Sequence, residues 1–261
     1  MHPPCVLATR DIDVWAVQVS APDVVVEHYF ATLSPDERVR AGRYRFEDHR
    51  RSFILSRGVL RALLGCYVSA PAGKIQFSYG ERGKPHLFGV TTDIRFNSSH
   101  SANVALYAMT RHCDLGVDIE KIRLLEDMHQ VADRFFCPEE AQELRSLPWA
   151  EQESAFFNCW TRKEAYIKAV GHGLSMPLNG FRVTLKPGDP VEFVHLGNDR
   201  QGARKWTLQS IPIAPGYAAA VAYHDSFRSL RFAPFMTATE ILALSGCNQQ
   251  ARRLSWAGSS S

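Results

Sequence analysis

The chain has 261 residues, 45% of them hydrophobic and 22% charged, the balance of a globular protein long enough to bury a core without disulfide or metal staples. Its net charge of +3 is too small to imply nucleic acid, and no apolar run approaches the ~18 to 20 residues of a membrane helix. Six scattered cysteines, without a CxxC pair or histidines at zinc spacing, read as reduced thiols of a soluble cytoplasmic protein, and the opening MHPPCVLATRD lacks the basic-then-apolar pattern of a targeting segment.

Taken in chain order, Ile12 and Val14 mark a strand, and Pro35 with Glu37 marks a helix start. Arg38, Arg40, Arg43, Arg45, Arg50, Arg51, Arg57 and Arg61 follow in one stretch, interrupted by Asp36, Glu37, Glu47 and Asp48. That pattern fits a solvated helical hairpin of mixed charge or a surface for phosphates and acidic partners. Phe53, Ala62 and Leu64 belong to a later helix. RGKP at 82–85 combines a flexible glycine, a cation and a proline in a turn, which lets backbone approach a ligand while Lys84 presents charge. FNSSHS at 96–101 is a strand-to-turn segment with several hydrogen-bond donors, and SANVALYAM after it is strand-like.

GVDIEKI reads as a strand, since it is apolar around the β-branched Val117 and Ile119, and alternation puts Asp118 and Glu120 on one face. FNCWTRKEAYIKAVGHG reads as a helix stopped by Gly171, with Phe156, Phe157, Trp160, Ile167 and Val170 at helical spacing and Glu164 one turn before Lys168. Oxygen-only donors suit a hard cation such as Mg²⁺ that shares a substrate phosphate, and Lys163 and Lys168 can hold that phosphate as point charges. The alternative is a strand ending in solvent and a surface helix pair worth ~0.3 to 0.5 kcal/mol.

An internal repeat organises the chain. At an offset of 103 residues, Ile12 and Val14 align with Leu115 and Val117, Pro35 and Glu37 with Pro138 and Glu140, and Phe53, Ala62 and Leu64 with Phe156, Ala165 and Ile167. After a slip of about a dozen residues, SANVALYAM resembles GYAAAVAYH at 216–224. The expected architecture is α+β, with two similar halves in tandem related by a pseudo-twofold and an active cleft between them. The expected divisions are 1–112, 113–236 and a tail at 237–261 whose end looks disordered. Asp118 aligns with Trp15, Glu120 with Val17 and Glu164 with Arg61, so only the second half carries the metal ligands.

RGKP, FNSSHS, GVDIEKI and WTRKEAYIKA occur in the order found in the 4′-phosphopantetheinyl transferases of the Sfp-like single-chain type, and the chain resembles that family from about Ile12 to Tyr223. The resemblance implies coenzyme A as substrate, Mg²⁺ on Asp118, Glu120 and Glu164, and catalytic roles for Glu164, as metal ligand and candidate base, and for Lys168. It implies coenzyme A contacts from Gly83, Lys84 and Pro85 at the nucleotide end and from Ser99 and His100 at the phosphates, with Lys163 beside the shared anion. Arg51 and Ser52 match the positions that hold the 3′-phosphate, although a one-residue gap leaves Arg50 as an alternative to Arg51. Glu37 departs from the lysine that some relatives carry, which puts phosphate contacts from Arg38, Arg40 and Arg43 in doubt.

The function this implies is Mg²⁺-dependent transfer of the 4′-phosphopantetheine arm of coenzyme A to a serine of an acyl or peptidyl carrier protein, releasing 3′,5′-ADP. A monomer suffices if both halves lie in one chain. The competing readings are another Mg²⁺-dependent nucleotide transferase or hydrolase, disfavoured by the absence of a Walker-type loop, and a non-catalytic basic docking module.

Overall fold

A computed structural model describes residues 5–171, 176–196, 205–225 and 227–246. Strand β1 (Asp11–Gln18) leads into α1 (Asp23–Thr32), α2 (Pro35–Gly42) and the long α3 (Glu47–Val68). A hairpin of β2 (Gln76–Tyr79) and β3 (Pro85–Phe88) follows, then β4 (Ile94–Ser101) and β5 (Val104–Arg111). The same order of elements then recurs: β6 (Leu115–Lys121), α4 (Met128–Phe135), α5 (Pro138–Ser146), the long α6 (Trp149–Val170), a hairpin of β7 (Phe181–Val183) and β8 (Phe193–Leu196), then β9 (Thr207–Ser210) and β10 (Tyr217–Tyr223). In the first sheet β5 lies between β1 and β4, and in the second β10 lies between β6 and β9.

Local chemistry sets the helix boundaries. Pro35 and Pro138 each open a helix, where a missing N–H costs nothing. Each is preceded by a side chain that caps it, Ser34 or Cys137, and followed by a glutamate that reaches back to the cap N–H, Glu37 at 3.0 Å and Glu140 at 2.9 Å. Helix α6 ends at Gly171, whose φ of 75° places it in the left-handed region.

Three apolar clusters hold the elements together. One packs α3 (Ile54, Val59, Leu63) on Trp15, Val17, Phe96 and Tyr107, and a second packs α6 (Phe156, Phe157, Ile167) on Phe181, Val183 and Ala220. The third joins the two sheets through Ile12, Val14, Leu106 and Ala108 against Val117, Ile119, Val221 and Tyr223. Strand β1 therefore has buried residues on both faces, Asp13 among them.

The end of the chain departs from expectation. Strands β11 (Ser229–Phe232) and β12 (Met236–Thr237) return to the first sheet and pair in parallel with β1. Residues 238–246 are helical and place Ala238 and Ile241 in the first core, and the Tyr29 hydroxyl donates to Ala238 O at 2.8 Å. The stretch 229–236, expected at the end of the second half, thus completes the first, and the tail expected from 237 begins as part of the same sheet and core. The end expected to be disordered, 247–261, lies outside the described residues. No helix among the described residues is long and apolar enough to cross a membrane.

Candidate active site between the two sheets

Gly116 decides how closely the site can be assembled. A Cβ there would lie 2.2 Å from Ala165 O and 2.3 Å from Ala169 N, so bare backbone lets α6 rest directly on β6. Asp118 and Glu120, two and four residues on, share the face of Gly116. Glu164 and Lys168 project from the adjoining turns of α6, one turn apart. The spacing expected from sequence is therefore realised on two elements in contact.

Strand β4 closes the site from the first half. Its alternate residues Asn97, Ser99 and Ser101 all reach β6: Asn97 Oδ1 accepts from Val117 N–H at 2.9 Å, Ser99 Oγ donates to Asp118 Oδ1 at 2.7 Å, and Ser101 Oγ donates to Glu120 Oε2 at 2.7 Å. Lys168 Nζ completes the cluster, 2.6 Å from Asp118 Oδ1 and 2.9 Å from Ser99 Oγ. Asp118 is almost fully buried, and its Oδ2 has no hydrogen-bond partner among the described residues. Burial pushes the Glu164 carboxyl above the usual carboxylate range, Lys168 opposes that rise, and the charges of Asp118 and Glu120 add to it. Glu120 is raised for the same leading reason, with the Ser101 bond opposing and the Asp118 charge adding.

These donors fit a hard divalent cation in their chemistry: three carboxylates, one with an unpartnered buried oxygen and two whose charged forms are costly without a counter-ion. Among the described residues no three Asp, Glu, His or Cys side chains are grouped so as to hold a metal ion by themselves.

On the other face of β4 lies a pocket of 190 Å³ lined by Arg40, Tyr44, Phe53, Arg57, Ser99 and His100, among others. Ser99 thus borders both the carboxylate cluster and this pocket. Burial lowers the His100 imidazole below its ordinary value, and the Lys168 and Arg40 cations lower it further. Arg40 lies over the Phe53 ring at 5.1 Å. Tyr44, Phe53 and Arg57 were not singled out from sequence for this site, because nothing in a helical hairpin of mixed charge says which face meets a strand from elsewhere in the chain.

Other expected residues fall elsewhere. Lys163 is not beside the carboxylates: it is fully buried in the second core, 2.8 Å from Glu140, and donates to Leu178 O and Phe181 O at 2.8 and 2.5 Å. Successive helical residues point about 100° apart, so Glu164 on the side of Asp118 and Glu120 turns Lys163 inward. Arg51 faces α1, where Asp23 at 2.5 Å and Ala21 O at 2.8 Å take its guanidinium, and Arg50 is bound to Glu47 at 3.0 Å. Neither arginine lines the pocket with His100. Ser52 is half-buried on α3 beside Arg51. Gly83 sits at the hairpin tip with φ 82° and Pro85 opens β3. Lys84 Nζ donates to Ala169 O at 2.7 Å and Leu115 O at 3.2 Å, so its ammonium caps the C-terminal end of α6.

Comparisons with known proteins agree with one another. Residues 114–222 match the model described as 4′-phosphopantetheinyl transferase superfamily, and residues 22–112 match that described as 4′-phosphopantetheinyl transferase, N-terminal. The 4′-phosphopantetheinyl transferase HetI of Nostoc sp. is 37% identical over 84% of this chain and 90% of its own length. The 4′-phosphopantetheinyl transferase Sfp of Bacillus subtilis is 29% identical over 77% of this chain and 87% of its own.

Proposed function

The chain belongs to the 4′-phosphopantetheinyl transferase superfamily and transfers phosphopantetheine to carrier proteins, and from its site we propose how each residue contributes. The observation that carries the proposal is the junction of three elements at one point, where Lys168 of α6, Ser99 of β4 and Asp118 of β6 lie within 2.9 Å of one another. A phosphate arriving there meets a cation and a hydroxyl from opposite halves of the chain, beside carboxylates suited to a metal.

In this reading Asp118, Glu120 and Glu164 hold Mg²⁺, which when bound supplies positive charge to the pyrophosphate of coenzyme A. Lys168 donates to the phosphate oxygens as charge develops on the departing 3′,5′-ADP. The incoming carrier serine gives up its proton to Glu164, directly or through a water, and its oxygen forms the new bond to the phosphorus of the arm as the pyrophosphate bridge breaks. Ser99 and His100 bind phosphate, and Gly83 and Pro85 offer backbone to the nucleotide with Lys84 behind them. The pocket of Arg40, Arg57 and Phe53 takes the 3′-phosphate end in place of Arg51, whose guanidinium is held by Asp23 and Ala21 O, while Ser52 lies one helical turn before Ser56 at the wall of this pocket. The exposed part of the basic stretch, Arg38, Arg43 and Arg45, meets the acidic carrier, whereas Arg61 at its far end is buried against Glu37.

The halves are read as a tandem pair related by a pseudo-twofold, supported by the repeated order of elements and by matching buried ion pairs, Glu37 with Arg61 and Glu140 with Lys163. The site then needs a single chain, and specific activity should stay constant on dilution. The decisive test is incubation with coenzyme A, Mg²⁺ and an apo carrier, followed by mass spectrometry. Addition of the arm to the carrier serine supports the scheme. Consumption of coenzyme A without a carrier points to a hydrolase, and omission of Mg²⁺ without effect removes the metal from it.

A further inference from the structure

Ser101 is the last residue of β4, and the turn that follows it is fastened from three sides. Lys121 N–H donates to Ser101 Oγ at 3.1 Å, Tyr217 OH donates to Asn103 Oδ1 at 2.9 Å, and Val19 N–H donates to Asn103 O at 2.8 Å. Ala102 between them holds φ at 51°, a conformation that a non-glycine residue keeps only when its surroundings impose it. The Ser101 hydroxyl accepts from the Lys121 N–H, so its own proton is directed at Glu120 Oε2, 2.7 Å away. Ser99 makes a bond of the same length to Asp118, but its oxygen is shared with Lys168 and borders the pocket. The two serines occupy alternate positions of one strand and are both half-buried, one bordering the pocket and the other bonded between Lys121 N–H and Glu120.

We propose that Ser101 is a positioning residue: backed by its pinned turn, it fixes the carboxylate of Glu120, the longest and most freely rotating donor on β6, in the orientation that meets the cation. The inference rests on the cluster being the cation site described above. Glutamate has more rotatable bonds than aspartate, so it loses more freedom on binding unless a partner holds it beforehand. Asp118 is confined by burial and by Lys168, whereas Glu120 is half-exposed near the strand end. Hydrogen-bonded partners of ligating carboxylates typically contribute 10- to 100-fold to metal affinity.

The test uses the full chain, with Mn²⁺ as a spectroscopic probe in the presence of coenzyme A. Free Mn²⁺ is measured by electron paramagnetic resonance for the wild type, Ser101→Ala and Ser101→Thr. Ser101→Ala is expected to weaken Mn²⁺ binding about 10-fold. It should raise the half-saturating Mg²⁺ in the transfer assay by a similar factor, with kcat recovering at high Mg²⁺ and the coenzyme A KM at saturating Mg²⁺ unchanged. Ser101→Thr, which keeps the hydroxyl on a β-branched side chain suited to a strand, should bind within about twofold of wild type. Wild-type Mn²⁺ affinity in Ser101→Ala overturns the inference alone. Equal losses in both variants, with both folded, also overturn it by making the position steric. A wild type that binds no Mn²⁺ overturns the cation reading beneath it.

Discussion

Glu140 and Lys163 form an ion pair at 2.8 Å in which neither side chain has any solvent exposure. The pair ties the capping glutamate of α5 to α6, and the lysine's remaining protons go to Leu178 O and Phe181 O at the approach to β7. Glu37 and Arg61 do the same in the first half at 2.7 Å, with Arg61 donating to Ile75 O at 2.7 Å. In both halves a short 3-10 turn, Ala72–Lys74 or Leu178–Gly180, is held to the long helix through a buried cation. The arrangement explains why Lys163, next to Glu164 in sequence, faces the core rather than Asp118.

Removing one partner should therefore cost stability and leave chemistry in place. Lys163→Met strands a buried carboxylate, for which about 3–5 kcal/mol of destabilisation is expected. Urea unfolding measures the loss, and the coenzyme A KM of the remaining folded protein should match wild type. A raised KM with normal stability would return Lys163 to the substrate site.

Gly116→Ala should push α6 off β6. The added Cβ meets backbone atoms at 2.2 and 2.3 Å, which cannot rotate away, so roughly 1–3 kcal/mol of overpacking cost and a fall in kcat are expected together. Gly42→Ala is the control, because no atom lies within 4 Å of its Cβ position at the end of α2. Thermal melts and kcat measured side by side check both.

Part of this was legible in the sequence for a simple reason. Alternation in GVDIEKI puts Asp118 and Glu120 on one face whatever the fold around them, and helical spacing puts Glu164 and Lys168 one turn apart. The capping glutamates Glu37 and Glu140 were visible as a repeat, yet their partners were not. Arg61 aligns with Glu164, so the buried cation sits one position earlier on the second helix and changes from arginine to lysine. Charge suggests exposure for residues such as Arg61 and Lys163, and only the carbonyls of a distant turn reverse that expectation. The fate of Arg51 likewise depended on Asp23 across a helix pair. Ser101 carried a faint signal, the period of two from Asn97 through Ser99.

Glu120→Gln should separate stability from activity by pH. The folded-state carboxyl is raised, so below its ordinary value both states are protonated and it contributes nothing. As pH rises past that value the unfolded chain ionises first and stability falls, until the folded group ionises as well and the cost becomes constant. Without divalent metal, Glu120→Gln is expected to melt above wild type at pH 7 and equal to it at pH 3, with transfer abolished. Scanning calorimetry in EDTA across that range checks the sign, and a variant less stable at pH 7 contradicts it.

Arg231→Met tests the return of the chain end. Asp13 is 2% exposed and accepts from Arg231 Nε at 2.6 Å, Arg231 Nη2 at 2.9 Å and Tyr67 OH at 2.6 Å. Losing the guanidinium should cost roughly 2–4 kcal/mol, less than a fully buried pair because it is a third exposed. Guanidinium chloride unfolding reads this out, and Asp13→Asn in the same background should recover part of the loss.

The parallel pairing of Asp11 with Ser229 imposes an order in time. Synthesis is vectorial, so β1 leaves the ribosome long before the strand that covers its outer edge. Until that strand emerges the nascent chain carries an open strand edge, with Asp13 waiting for Arg231, and such an edge is a template for pairing with another molecule. A ribosome-stalled chain ending before Ser229 is accordingly expected to stay protease-sensitive in its first half, and to become resistant only when the released chain folds back on its beginning.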